Sequence, residues 1–235
     1  MKGVLLCGGS GSRLLPLTSV TNKHLLPIGK KPMIFYSIDK FKEIDIYDIM
    51  VVTGTEHLGD IVSLLGSGES RGVNFTYRVQ DKPLGIAHAI GLTEDFVGKN
   101  EFLVILGDNI FEFNMFRIKK QFMENIKSII ILNKNSEPHR FGVAEIKNNK
   151  LVRIVEKPKN PSSDLIVTGV YYYKPNIYAY IRKLVLSERN EYEITDLHNM
   201  LIADGNLDYI IEDSYWSDAG TFKTYFEVNK KYGKI

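Results

Sequence analysis

An α/β architecture is what this sequence predicts: a single three-layer domain with a mostly parallel central sheet and an inserted β-rich part in its second half. Three observations predict it. Through the first two-thirds of the chain, apolar runs rich in Val, Ile and Leu alternate with amphipathic stretches, the pattern of parallel strands joined by crossover helices. The pattern then changes to strands that follow one another through short turns. Finally, 44% of the 235 residues are hydrophobic, enough to bury the core of one large unit, and no low-complexity tract or repeat divides it.

Each element has its own signal. Lys2–Cys7 is an apolar run that starts directly as a strand and not as a signal peptide. Pro32–Lys42 predicts a helix opened by proline in its first turn. "DIMVVTG" (48–54) predicts a strand, and "HLGDIVSLLGSG" (57–68) a helix stopped by glycine. "NFTYRVQ" (74–80) is a strand followed by a helix over 86–97. "EFLVILGD" (101–108) is the most apolar strand, and "SIIILNK" (128–134) a further one. Residues 141–158 read as two strands joined at Asn148-Asn149, a hairpin signal. "DLIVTGVYYYK" (164–174) is another strand, with Tyr171, Tyr172 and Tyr173 expected to alternate between a packed and a wet face. Helical patterns return in 176–186, 195–204 and 222–231.

Composition narrows the function. Lys and Arg total 30 against 28 acids, a net charge of +2, which lacks the basic excess of a nucleic-acid binder. No apolar run approaches membrane-spanning length. The single cysteine, Cys7, excludes an internal disulfide, fits a reducing cytoplasm and reads as a small buried hydrophobe.

The chemistry begins in "LLCGGSGSRLLPLTSVTNKHLLP" (5–27), a strand that runs into three glycines. A P-loop needs Gly-Lys-Ser/Thr at its end, but Gly11 is followed by Ser12-Arg13. A dinucleotide fingerprint needs a third glycine where Leu14 stands, and an acid at the end of the second strand, where "MVVTGT" has none. A hydrolase elbow fails at Ser12, and no two histidines have metal-ligand spacing. What survives is an anion cradle. Gly8, Gly9 and Gly11 let backbone N–H groups approach a phosphate, Arg13 offers a planar fork and Lys23 a compact charge. A flexible loop with solvated cations is the alternative reading.

Downstream acids and lysines extend the pattern. Asp108 ends the most apolar strand, where open sheets bind ligands, and a carboxylate there suits Mg²⁺. It also suits a turn cap. Asp218, in "YWSDAGTFKTY", is a second acid, with helix entry as its other reading. Glu156-Lys157 ends another strand, and Pro158 restricts the backbone of Lys157. Trp216 reads as structural, positioning the loop before Asp218.

These stretches occur in order: "GGSGSRLLPLT…NKHLLPIGKKPMIFY", "VQDKPLGIAHAI", "LGDNIF", "RFGVAEI", "EKPKNP", "VTGVYYY", "EITDLHNML" and "WSDAGTF". Together they resemble the sugar-phosphate nucleotidyltransferases, with "EITD" and "PMIFY" similar to the glucose-1-phosphate thymidylyltransferase branch. The resemblance covers nearly the whole chain. It implies a Rossmann-like nucleotidyltransferase domain spanning 1–235, with residues 1–135 mainly nucleotide-binding and 136–235 mainly sugar-phosphate-binding. It also implies a reaction: dTTP and a hexose 1-phosphate, glucose 1-phosphate in this branch, give a dTDP-sugar and pyrophosphate with Mg²⁺.

Carried over by position, Gly8, Gly9 and Gly11 cradle the nucleotide, Arg13 stabilises the departing pyrophosphate and Lys23 supports the triphosphate. Gln80 and Gly85 match the positions that read the base. Asp108 and Asp218 match the Mg²⁺ ligands. Lys157 and Arg189 match cations at the sugar phosphate, while Gly142, Glu156 and Val167 line the sugar pocket. A cytoplasmic homo-oligomer is implied, with no nucleic-acid or membrane partner.

Two departures bear on the substrate. His24 stands where relatives often have glutamine, and Leu84 where many longer relatives carry an acid, so UTP, CTP or another hexose phosphate stay open as alternatives. A non-catalytic paralogue would be expected to have lost Arg13, Lys157 or an acid. A glycosyltransferase would carry Asp-x-Asp, where this chain has Asp108, Asn109 and Ile110. After "GTFKTYFEVNKKYGKI" longer relatives continue into helices that carry subunit contacts and a regulatory nucleotide site. Resemblance to the short form carries the expectation that this feedback is absent.

Overall fold

A computed structural model describes residues 1–9 and 11–233. In chain order the elements are β1 (Lys2–Cys7), the short paired strands β2 (Pro27–Ile28) and β3 (Lys31–Pro32), α1 (Ile34–Glu43), β4 (Asp48–Gly54), α2 (Leu58–Leu65) and β5 (Asn74–Gln80). There follow α3 (Ile86–Gly91), α4 (Glu94–Val97), β6 (Phe102–Leu106), β7 (Asn109–Phe111), α5 (Met115–Met123) and β8 (Ser128–Lys134). The last third holds β9 (Gly142–Lys147), β10 (Lys150–Glu156), β11 (Leu165–Tyr173), α6 (Ile177–Ile181), α7 (Ile194–Ala203), β12 (Leu207–Ile211), β13 (Trp216–Asp218) and α8 (Phe222–Tyr232).

One nine-stranded sheet runs in the order β10-β9-β11-β6-β1-β4-β5, with β8 pairing to β11 and β12 to β8. The pairs β1/β4, β1/β6, β4/β5 and β8/β12 are parallel, while β11 runs against β6, β8 and β9, and β10 against β9. Only β10 and β11 therefore reverse the common direction, and the sheet is mostly parallel. Strands alternate their side chains between faces, so each face needs its own cover. Leu5, Val51, Leu103 and Ile105 pack on one side with Phe41 of α1, Ile61 of α2 and Ile118 and Phe122 of α5. Val4, Leu6, Val52 and Val104 pack on the other with Ile90 of α3, Tyr178 of α6 and Leu197 and Leu201 of α7. A third cluster joins Tyr225 and Val228 of α8 to Leu14, Leu26 and Ile28, fastening the segment after the glycine loop.

Several expectations are corrected. Pro32 is in β3, not in the first turn of α1, because β3 pairs back onto Pro27–Ile28 and the Met33 amide donates to the Leu26 carbonyl at 2.9 Å. The helix expected over 86–97 breaks at Leu92–Thr93. There the buried Thr93 hydroxyl donates to the Ile90 carbonyl at 2.7 Å and lies 2.9 Å from the Tyr178 hydroxyl. The helix expected over 176–186 ends at Ile181. The three tyrosines alternate, but no face is wet: Tyr172 joins one core, Tyr171 and Tyr173 the other, all 3% exposed or less. Among the added elements, α5 is capped by the Asn114 side chain, which accepts from the Arg117 amide at 3.0 Å. The hairpin forms as its turn signal predicts, Asn148 and Asn149 both taking positive φ.

Candidate active site

Strands β1 and β6 lie side by side, and their C-terminal ends open into a cavity of about 400 Å³. Open parallel sheets bind ligands in this crevice because the strand ends leave backbone groups and short loops there. Gly8, Gly9, Arg13 and Lys23 line it from the first loop, Asp108 from the end of β6, and Asp218 from β13. Antiparallel pairing of β13 with β7 sets Asp218 opposite Asn109 and so brings the two acids together. A methyl group placed on Gly220 would lie 3.3 Å from Asp108 Oδ2, 3.6 Å from Arg13 Nη2 and 3.8 Å from Asp218 Oδ2, so all three converge on one point.

The two carboxylates are electrostatically unlike. Lys23 Nζ donates to Asp108 Oδ2 at 2.5 Å, with both side chains nearly buried, and Asn109 donates to Oδ1 at 3.0 Å. Burial alone would raise the Asp108 carboxyl. The Lys23 ammonium, the neighbouring His24 and these hydrogen bonds outweigh it and hold the group well below the usual carboxylate range. Burial and the charge of Asp108 push Asp218 up to about 6, against the pull of Arg140 and Arg13. Arg140 Nη2 lies 3.2 Å from Asp218 Oδ2. Raised proton affinity at one of two converging carboxylates is the chemistry of a donor pair suited to a cation. Among the described residues no group of three or more His, Cys, Asp or Glu converges, so a closed all-protein cage is absent. The pair fits Mg²⁺, which keeps waters and takes substrate phosphates as its other ligands.

At one end of the cavity, Gln80 closes β5 and Gly85 precedes α3. Gln80 Nε2 donates to the Gly85 carbonyl at 3.1 Å. Gly85 has φ +94°, and a Cβ there would stand 2.7 Å from the Tyr192 carbonyl oxygen, so the position needs glycine. At the other end, Gly142 pairs with Glu156 across the hairpin, and Val167 enters from β11. Thr195 Oγ1 donates to Glu156 Oε2 at 2.7 Å, and Lys157 Nζ is 3.2 Å from Oε1. Burial tends to raise Glu156, but Thr195, Lys157 and Arg189 keep it ionised. Lys157 has φ +42° and its amide donates to the Phe141 carbonyl at 3.0 Å. Proline after it restricts the backbone, and the hairpin holds it in the left-handed region.

Two expected residues stand apart from the lining. Gly11, at φ +64°, precedes the 3₁₀ turn Ser12–Leu14, its carbonyl accepting from the Thr18 hydroxyl at 2.8 Å; it shapes the turn that carries Arg13. Arg189 is tied to Glu156 at 3.1 Å and to Glu193 at 2.6 Å. Sequence reasoning missed Arg140, Thr195 and Asn109. Asn109 Oδ1 accepts from Trp216 Nε1 at 2.7 Å and from the Gly169 amide at 2.8 Å, so Trp216 does anchor the loop before Asp218. His24 lines the cavity, its Nδ1 2.6 Å from Asn22 Oδ1, and burial with the charge of Lys23 lowers it to about 3. Cys7 is fully buried and burial pushes its thiol up, consistent with a packing role.

The chain as a whole has counterparts among known proteins. Residues 2–235 match the profile of the family described as nucleotidyl transferase. The chain belongs to that family. It is 38% identical to a glucose-1-phosphate thymidylyltransferase of Neisseria meningitidis, over 97% of this chain and 81% of that protein. It is 37% identical to the low-salt glycan biosynthesis nucleotidyltransferase Agl11 of Haloferax volcanii, over 98% of this chain, and spans 65% of that relative's length. A solved Bacillus anthracis protein, provisionally named a glucose-1-phosphate thymidylyltransferase and crystallised with sucrose, superposes with a TM-score of 0.95. It shares 49% identity, covering 100% of this chain and 96% of that one. A UDP-glucose pyrophosphorylase bound to UDP-glucose shares the fold at a TM-score of 0.86 and 24% identity, over 98% and 97% of the two chains. Among the described residues, no helix is long and apolar enough to cross a membrane.

Proposed function

We propose that this nucleotidyltransferase joins dTTP to glucose 1-phosphate, releasing pyrophosphate and forming dTDP-glucose. The observation that carries the reading is a single cavity at the ends of β1 and β6 in which Arg13 and Lys23 stand beside two converging carboxylates and Lys157 lines the same space beside Glu156. The thymidylyltransferase relatives supply the nucleotide and sugar. A phosphate oxygen of the sugar attacks the α-phosphorus, and the bond to the bridging oxygen of the pyrophosphate breaks in line. No protein nucleophile is needed, so the work is positioning and charge neutralisation.

Gly8 and Gly9 present backbone N–H groups to the triphosphate. Arg13 and Lys23 take up negative charge on the departing pyrophosphate. Lys157 holds the attacking phosphate, Arg189 assists after exchanging its carboxylate partners, and Glu156, kept ionised, accepts hydrogen bonds from sugar hydroxyls beside Gly142 and Val167. Gln80 and Gly85 contact the base. Asp108 and Asp218 would hold Mg²⁺, which would supply charge neutralisation at the phosphates.

The test is pyrophosphate release by purified protein with Mg²⁺, across dTTP, UTP, CTP, ATP and GTP and a panel of hexose 1-phosphates. Preference for dTTP with glucose 1-phosphate is expected. Preference for another pair keeps the chemistry and replaces the substrates; silence throughout overturns the reading.

A further inference from the structure

The base-reading end holds a feature that the lining residues alone do not explain. Gln80 is buried to 8% exposure at the end of β5, and an amide side chain has two faces, one donating and one accepting. Which face meets the ligand decides which base edge fits. The Gly85 carbonyl can only accept, so the nitrogen of Gln80 must face it, as it does at 3.1 Å. The second N–H of the same nitrogen is directed at His88 Nδ1, 2.9 Å away. Among the described residues no donor reaches the remaining atom, Oε1. It points to the glycine loop, where a Cβ on Gly8 would lie 3.4 Å from it.

His88 does not line the cavity. It sits in the first turn of α3, with its ring stacked on Tyr192 at 6.0 Å between centroids and 20° between planes. We infer that His88 is a positioning residue for base selection: its neutral Nδ1 accepts from Gln80 and holds the amide with its carbonyl oxygen facing the ligand. The site then presents an acceptor, matching a pyrimidine whose ring N3 carries a hydrogen, as thymine and uracil do, and opposing the bare N3 of cytosine. Turning the amide over would set its oxygen against the Gly85 carbonyl and, with the imidazole proton on Nε2, against His88 Nδ1 as well. Burial lowers the His88 imidazole, which keeps Nδ1 free to accept at neutral pH. This inference rests on the nucleotidyltransferase reading above and adds the group that fixes its base preference.

The experiment compares the native enzyme with His88→Leu, which removes the acceptor, and His88→Gln, which returns one. Steady-state kinetics are measured for dTTP and dCTP at saturating glucose 1-phosphate, with circular dichroism to check folding. For His88→Leu, KM for dTTP is expected to rise about tenfold, with kcat and the KM for glucose 1-phosphate little changed, as one lost positioning hydrogen bond predicts. Its preference for dTTP over dCTP should fall by a similar factor, and His88→Gln should recover most of both. Folded His88→Leu with native KM and native preference would overturn the inference. So would loss of kcat without loss of base preference, or failure of His88→Gln to recover what His88→Leu loses. Absence of turnover by the native enzyme with every nucleotide would instead count against the function itself.

Discussion

Lowering the pH from 7.5 to 5 should destabilise this protein by a calculable amount, and much of the loss should trace to His198. The side chain is 1% exposed in α7, with Nε2 2.6 Å from the Tyr173 hydroxyl. Burial lowers its imidazole to about 3, whereas in the unfolded chain it titrates near its ordinary value of 6.5. A folded value below the unfolded one means stability that is complete above pH 6.5 and drains away as pH falls toward 3. By linkage the loss at pH 5 is about 2 kcal/mol for this group. His24, also lowered to about 3, adds a similar amount in the same direction. Asp218 works the other way: raised to about 6, it binds its proton more readily in the folded chain and returns roughly 1 kcal/mol at pH 5. The net loss is about 2–3 kcal/mol, or a fall of about 1 M in urea midpoint at an m-value near 2.5 kcal/mol/M. Equilibrium urea unfolding, followed by the fluorescence of the single tryptophan, measures it. His198→Gln, which keeps a polar partner for Tyr173 but cannot protonate, should lose about 2 kcal/mol of the pH dependence. An unchanged pH dependence in that variant would refute the reasoning.

Two further predictions test the loops. Gly85→Ala forces a side chain into φ +94° and a Cβ to 2.7 Å from the Tyr192 carbonyl, so it should cost about 2–3 kcal/mol of stability. Because the Gly85 carbonyl holds Gln80, KM for the nucleotide should rise more than KM for the sugar phosphate; thermal melts with kinetics on both substrates check this. Trp216→Phe removes the 2.7 Å hydrogen bond to Asn109 while the Gly169 amide still reaches the same oxygen, so the expected loss is about 1 kcal/mol. If Asp218 holds Mg²⁺ as proposed, the metal concentration giving half-maximal activity should rise several-fold as the strand carrying Asp218 loosens.

The parallel half of the fold was legible because its strands are continuous apolar runs with helical periods between them, which report burial on both faces directly. The tyrosine run misled for the same reason in reverse: Tyr171, Tyr172 and Tyr173 alternate as a one-sided strand would, yet helices cover both sides of β11. The break after Gly91 was hidden because the Thr93 hydroxyl competes for a helical carbonyl, a local bond that periodicity does not register. At the site, the glycines and Arg13 were legible as a cluster close in sequence. Arg140 was not, since its partner Asp218 lies 78 positions away and only the pairing of β13 with β7 brings that segment near. Thr195 was visible only as part of a motif, its contact with Glu156 depending on the docking of α7 against β10.

On the proposed function, the pairing of charges within the cavity accounts for one site taking both a polyphosphate and a cation. Lys23 rests on Asp108, and Arg140 and Arg13 stand beside Asp218. Buried charges without partners are costly, so the carboxylates need these cations while no ligand is present. The same cations are what a triphosphate requires, and the same carboxylates are what a divalent ion requires. Substrate phosphate drawing Lys23 and Arg13 toward itself would leave the carboxylates short of positive charge, which a divalent ion would restore. Either ligand alone would leave part of this set without partners, whereas the two together would satisfy all of it. On the proposed function, metal and nucleotide binding would be coupled through an exchange of partners among Lys23, Arg13, Asp108 and Asp218, a coupling that the two acids could not provide if they were solvated and separate.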